Sequence, residues 1–365
     1  RDEFIMLRNE DPNYPAAAIG IADTELALNE YQSAEAGIAA LTQDYPEDTG
    51  VQDLQRLWQL HNMRELTVES SFGRGSGAVV GNRDHSIETF LYSAPFAYNY
   101  RAFARAYDAE ADFDGGTAYR RRLGAGLEYR DRDYTISGAV SASTKDDTDV
   151  GIDLSIEWRP DDYWTAIATA GNSVDDIPLR ARSQGITARG AEGQVVYRWN
   201  ESSQTRAGVG IQDFSDDNMR RTWNLGYLQR LVATPRYKLD VDVAASGSSN
   251  SDVPSALYFN PRRDQSLDLT FINEWLVTRH YNDSVVNRVM VSAGDYAQRG
   301  FGSGMSWGIR AEQQREWDRR LSLRYGIGRS SHPYDGIDEQ RNYVYLNLDW
   351  RFWHEIRPSC AVRAG

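Results

Sequence analysis

The sequence predicts an all-β membrane protein: a 16-stranded antiparallel outer-membrane β-barrel preceded by a short α-helical segment. Three observations carry this. The first is the stretch Arg341–Phe352, where Val344, Leu346, Leu348, Trp350 and Phe352 fall on one face and Tyr345, Asn347, Asp349 and Arg351 on the other. Period-two alternation ending in aromatics is the signature of a strand that is apolar toward lipid and polar toward a lumen. The second is repetition of this pattern along a chain with mean hydropathy −0.61. No apolar run approaches the ~18 residues a spanning helix needs, so a helical membrane protein is excluded, whereas a barrel escapes hydropathy because only half of each strand meets lipid. The third is the alternation of short and long connections described below.

Residues 1–62 are rich in Ala, Leu, Glu and Gln at helical spacing. Tyr14–Asn29 reads as one helix, Gln32–Tyr45 as a second stopped by Pro46, and Thr49 to about Met63 as a third with the stripe Leu54, Leu57, Trp58 and Leu60. Ala27, Leu28, Tyr31, Ala34, Ile38, Leu41, Tyr45 and Pro46 match tetratricopeptide spacing. A single such unit cannot bury its own face, so the segment is expected to be the end of a solenoid. Arg1 follows no signal peptide, which reads as a mature chain or a piece of a longer one.

From Arg64 the period changes to two. Candidate strands fall near 64–73, 85–93, 98–111, 117–130, 133–144, 149–159, 162–171, 186–199, 203–214, 218–232, 236–247, 264–278, 283–297, 303–316, 319–330 and 341–352. The facing of 98–111, 162–171 and 283–297 is not defined by their alternation. Every second link is short, as at 93–98, 130–133, 159–162, 200–202, 233–235, 279–283 and Asp318. The others are long or Gly-rich: 73–84, 172–185, 247–263, 298–302 and 331–340. Short periplasmic turns and long outer loops are the asymmetry of outer-membrane barrels, and they put the helices and the C-terminus in the periplasm. Tyr92, Tyr129, Trp158, Tyr163, Trp199, Trp275, Trp317 and Phe352 beside the short turns are expected to form the inner aromatic girdle. A soluble propeller or solenoid would show a fixed blade period, and none is visible.

No catalytic constellation stands out. The histidines 61, 85, 280, 332 and 354 lack metal-ligand spacing, no Gly-x-Ser-x-Gly elbow occurs, and the single Cys360 forms no internal disulfide or multi-cysteine site. The expectation is a protein without enzymatic activity or cofactor. A net charge of −13 argues against nucleic acid.

The lumen is the candidate site, since sixteen strands enclose an aqueous interior. By parity the inward carboxylates include Asp240, Asp242, Asp268, Glu312 and Asp349, in the best-defined strands, with Glu128, Asp153 and Glu157 beside them. Glu69, Glu192 and Glu274 share this face, as do Arg122, Arg198, Arg206, Arg230, Lys238, Arg310, Arg324 and Arg351. A one-residue slip would reverse any strand's facing. The acids Asp146, Asp147, Asp149, Asp161, Asp162, Asp175, Asp176, Asp216, Asp217, Asp335, Asp338 and Glu339 read as solvated loop surface, whose field favours a neutral or weakly cationic passenger.

A tetratricopeptide end (Ala27–Leu28 through Tyr45–Pro46) leading through Leu54–Met63 into sixteen strands that close at Trp350-Arg351-Phe352 resembles the poly-β-1,6-N-acetyl-D-glucosamine export porins. The resemblance covers nearly the whole chain and is architectural. It implies domains at 1–62 (periplasmic helices), 64–352 (transmembrane barrel) and a tail at 353–365 that departs from the family pattern and is expected to be non-native. It also implies outer-membrane lipid around the barrel, a partly de-N-acetylated and hence slightly cationic polysaccharide as passenger, and a periplasmic polysaccharide deacetylase as partner through a missing repeat domain. Rivals are a cellulose-type exporter, an alginate exporter (disfavoured by the acid excess), and a structural, adhesive or enzymatic barrel plugged by an inward loop such as Gly247–Arg263.

Overall fold

The computed structural model describes residues 1–353 apart from 13, 145–148, 252, 254 and 255. Lys145, Asp146 and Asp147 of the acidic loop, and the tail from His354 with Cys360, lie outside the described residues.

Four helices come first: α1 (Asp2–Glu10), α2 (Pro15–Ala27), α3 (Tyr31–Asp44) and α4 (Thr49–His61). Pro15 occupies the first turn of α2, where its missing N–H costs nothing. Asp48 caps α4, its side chain accepting from the amides of Gly50 and Val51. Ala22, Ile38, Leu41, Val51 and Leu54 form the helical core, with Trp58 against it. Tyr31, Ala34, Ile38 and Leu41 of the repeat-like spacing are the buried face of α3. The helix α1 was not foreseen: none of its residues is buried, so it lacks the apolar stripe by which a helix is read.

The barrel strands are β1 (Arg64–Gly75), β2 (Arg83–Tyr92), β3 (Tyr100–Phe113), β4 (Gly116–Arg130), β5 (Tyr134–Ser143), β6 (Val150–Trp158), β7 (Trp164–Gly171), β8 (Ala188–Asn200), β9 (Ser203–Phe214), β10 (Met219–Ala233), β11 (Tyr237–Ser249), β12 (Arg263–His280), β13 (Asp283–Gln298), β14 (Gly302–Trp317), β15 (Leu321–Tyr334) and β16 (Ile337–Phe352). Each pairs antiparallel with its sequence neighbours, and β1 closes the barrel on β16 with Arg64 opposite Phe352. No edge is left unpaired, as a hydrocarbon environment demands.

Large apolar side chains point outward: Leu123, Ile152, Val209, Leu267 and Ile327 are each 58–65% exposed. A belt of this kind needs lipid as its solvent. Tyr129, Trp158, Trp199, Trp275, Trp317 and Phe352 lie at strand ends nearest the helices, and Tyr163 in the turn before β7. Tyr92 corrects the girdle expectation. It opposes Glu65 and packs inside with Phe90 and Phe103, because β2 ends on an inward position.

Two further differences concern connections. The supposed long link 331–340 is strand, turned by Asp335 and Gly336 alone. Both have positive φ, 50° and 77°, the type I′ hairpin geometry that an Asp-Gly pair favours. The link 172–187 holds a short helix, α5 (Leu179–Arg182), which packs on β3 and β4 across the interior. Together with 256–262 it folds inward at the barrel end opposite the helices, where Ile177, Ala181, Ala188, Phe214 and Tyr258 form a small apolar core.

At the other end the helices seat on the rim. The Asn29 amide donates to the Asp131 carbonyl at 2.9 Å, the Tyr98 hydroxyl donates to Glu35 at 2.9 Å, and Arg56 meets Asp318 at 3.2 Å. His61 stacks on Tyr31 at 4.0 Å, and its carbonyl accepts from Arg101 at 2.8 Å. Burial, then Arg101, Arg130 and Arg351, push its imidazole down to about 4.

Candidate functional site: the lumen

The strand register puts Asp240, Asp242, Asp268, Glu312, Asp349, Glu128, Asp153 and Glu157 all on the inner face, opposite in parity to the lipid belt. Their surroundings differ, and the difference divides the wall.

From β11 through β16 to β4 the wall is dense with crossing ion pairs. Asp242 receives both Arg206 amines at 2.8 Å, and Asp240 receives Arg230 at 2.8 Å. Arg288 bridges Glu274 at 2.6 Å and Glu312 at 3.0 Å, and Glu312 also accepts the Tyr345 hydroxyl. Tyr345 and Tyr343 lie flat against the wall over Gly326 and Gly328, where a Cβ would meet the rings at 2.8 Å and 2.3 Å. Near the helices, Arg101 pairs with Glu65 at 3.1 Å and Arg130 with Glu128 at 3.0 Å. Paired charges of this kind hold strands together and are already neutralised.

The wall from β5 to β10 is built differently. Many of its mid-level inward residues are small, Ser137, Ala139, Ser155, Thr169, Gly171, Gly190, Gly208, Gly210 and Thr222, with Ile167, Glu192, Gln194, Gln212 and Asn224 among them. They leave a chamber of about 560 Å³ beneath the 172–187 segment, bounded by Phe90 and Phe103, by Asp153 and Glu192, by Glu88 in its ion pair with Arg105 at 2.6 Å, and by Arg220. The Asp153 Oδ2 is buried without a hydrogen-bond partner among the described residues. Among the described residues Asp268 accepts only from Ser306, at 2.9 Å, and Asp349 accepts no side-chain hydrogen bond. Glu157, nearer the helix end, pairs with Arg159 at 2.9 Å.

Asp175 overturns its reading as loop surface. It is carried inward to Arg105, Arg120 and Arg122, at 2.8, 2.8 and 3.0 Å. Burial alone would raise its carboxyl, but Arg122, Arg120 and Arg105 outweigh that and hold it below the usual carboxylate range. Arg122 also donates to the Ser173 carbonyl at 2.6 Å, so the segment is tied by main chain as well as by charge. Arg105 and Arg120 are residues that sequence reasoning missed. The available signal was three inward arginines on adjacent strands facing too few strand carboxylates.

The comparisons follow this architecture. Residues 60–352 match the PgaA membrane beta barrel domain family. The poly-beta-1,6-N-acetyl-D-glucosamine export proteins of Escherichia coli K12 and of Escherichia coli O157:H7 are each 27% identical over 337 residues, which is 90% of this chain and 41% of theirs. The chain therefore spans about two-fifths of the length of these curated relatives. A solved bacterial polysaccharide outer membrane secretin is 25% identical and superposes with a TM-score of 0.74, covering 80% of this chain and 99% of that one. With four-fifths of its residues inside the match, including every strand, this chain is a member of the PgaA outer-membrane β-barrel family.

Proposed function

We propose that the chain is the outer-membrane conduit of an exopolysaccharide exporter, and that its passenger is partly de-N-acetylated poly-β-1,6-N-acetyl-D-glucosamine. The helices then face the periplasm, where a repeat domain preceding them receives the polymer from its deacetylase. The 172–187 and 256–262 segments narrow the outer end.

The observation that carries this reading is the β5–β10 wall. It leaves room for a chain, faces the rings of Phe90 and Phe103 on β2 and β3 across the chamber, and carries Asp153 and Glu192, which among the described residues no arginine neutralises by direct ion pairing. A sugar ring offers C–H faces to aromatic rings, and a free amino group offers an ammonium to carboxylates. Many weak contacts of this kind guide a polymer without trapping it. Asp268 and Asp349 extend the path along the lumen; Asp240, Asp242 and Glu312 serve first as ion-pair partners of the wall.

The test is secretion by cells whose only exporter is the full-length protein carrying this barrel. Asp153→Asn, Asp268→Asn and Asp349→Asn together should cut surface amino-sugar polymer at least ~10-fold, about 1.4 kcal/mol of lost guidance. Heat-modifiability on gels should show a normally folded barrel. Unchanged secretion from that folded barrel sinks the carboxylate path, and secretion of cellulose instead reassigns the passenger.

A further inference from the structure

On the outer surface of β14, β15, β16 and β1 the register lines up two rows of side chains. One row is Ala311, Ile327, Val344 and Phe72, and all but Ala311 are large and apolar. The adjacent row, one step toward the loop end, is Ile309, Arg329, Asn342 and Arg74. Together they shape an open groove of about 630 Å³ with an apolar floor and two arginines at its head.

The height of this groove in the membrane follows from β14. Trp307 and Trp317 both point outward and stand ten residues apart. At ~3.3 Å per residue and a tilt of ~40°, that is ~25 Å along the membrane normal, the height of the apolar band between aromatic girdles. On β14 the arginine row begins at Ile309, one step inside Trp307. Strand tilt displaces Arg329 and Arg74 along the membrane normal by ~3 Å per strand crossed, so both stay within ~10 Å of Ile309's level, near the headgroup boundary of the loop-end leaflet. Arg329 lies over the Trp307 ring at 6.0 Å.

The charges of this row are not spent within the protein. Some other outer-face arginines near this end are neutralised across the strand gap, Arg121 by Asp108 and Glu110 and Arg189 by Asp213, while Arg221 bonds only the Met219 sulfur and Arg263 has no side-chain partner among the described residues. Among the described residues Arg74 has neither a hydrogen-bond nor an ion-pair partner, and Arg329 bonds only the neutral Gln340 side chain. Both are exposed. Arg83 on the next strand is exposed and likewise without such a partner; its cross-strand neighbour Asp112 bonds Thr117. Unpaired arginines at the headgroup boundary, in a chain of net charge −13, call for an external anion held beside acyl chains.

We infer that this groove binds a phosphorylated glycolipid of the outer leaflet, of lipid A chemistry. Arg74 and Arg329 take the phosphate, and an acyl chain lies along Phe72, Val344, Ile327 and Ile309. The two arginines are two strands apart, ~10 Å between Cα atoms, a gap that their extended side chains close around one phosphate. The inference rests on the outer-membrane placement with the loop end outward, but not on any passenger.

Native mass spectrometry of the purified full chain with bis-phosphorylated lipid A tests it. The wild-type barrel should retain the lipid. R74Q/R329Q should retain at least ~10-fold less, and R189Q, whose arginine is paired, should match wild type. Dephosphorylated lipid A should bind the wild-type barrel as weakly as bis-phosphorylated lipid binds the double variant. Equal retention of the two lipids by wild type overturns the proposal without any variant having to fold. Equal retention by wild type and a heat-modifiable R74Q/R329Q barrel overturns it too, as does full displacement by inorganic phosphate alone, which would leave the apolar floor without a part. None of these readouts involves secretion, so failure here leaves the conduit reading standing, and failure of secretion leaves this one.

Discussion

The two walls of one lumen use the same residue classes for opposite ends. On the β11–β4 side most inward carboxylates are ion-paired, Asp242 and Asp240 with Arg206 and Arg230 reaching over from β9 and β10, and Glu274 and Glu312 with Arg288, while Asp268 and Asp349 have no cation in direct contact among the described residues. On the β5–β10 side the wall retreats largely to Gly, Ser and Thr, Glu192 faces the chamber, and Asp153 lines it with its buried Oδ2 unpaired among the described residues. The lesson is that lumen charge alone says little about transport. A paired charge is structure, and only an unpaired one is offered to a passenger.

The comparison breaks first at Arg288. Arg288→Met should leave Glu274 with Lys238 and Glu312 with Arg310 as their remaining cations, and cost about 3 kcal/mol in urea unfolding from micelles, the lower end of what removal of one partner of a buried pair costs. Ser155→Ala on the other wall should stay within ~0.5 kcal/mol. If the two variants unfold alike, the division of labour between the walls is wrong.

Next comes the seat of the helices, which rests on the paired wall through Arg101 and His61. The folded state keeps His61 neutral down to about 4, whereas the unfolded chain takes up its proton near 6.5. The unfolded chain thus binds more protons between these values. Docking is at full strength above pH 6.5 and weakens as pH falls toward 4, by up to about 3 kcal/mol. Hydrogen exchange in α4 across this window reads the effect; His61→Phe, which stays neutral, should flatten it.

The smallest expected effect concerns the segment over the open wall. Asp175→Asn removes the shared partner of Arg105, Arg120 and Arg122 and should loosen residues 172–187 by about 1–3 kcal/mol. The barrel itself should stay folded, and single-channel conductance in planar bilayers should rise several-fold. Conductance equal to wild type would mean that main-chain ties such as Arg122 to the Ser173 carbonyl suffice.

Much of this molecule is legible in its residues. Alternation told which face of each well-patterned strand is wet, and the register agrees for Asp240, Asp268 and Glu312 alike. Strands 98–111 and 283–297, whose alternation is blurred, needed their neighbours. Ala102, Ala104 and Ala106 face lipid while Phe103 turns inward, which hydropathy ranks backwards. The hairpin at Asp335-Gly336 was misread as part of a long link, although the dipeptide favours the tight turn that the chain makes. The overlooked α5 spans four residues, too short for any periodicity to declare.

What the sequence by itself determined is local: where strands begin, which side chains share a face, and that lipid is their outer solvent. Those properties repeat every two residues and need no distant partner. What only the tertiary structure decided is which charges find each other. Asp175 meets Arg122 across 53 residues of chain, and Arg341 meets Asp84 across 257. Such pairings depend on closure of β1 on β16 and on loops turning inward. Closure sets the stagger of all strands at once, so no window of sequence contains it.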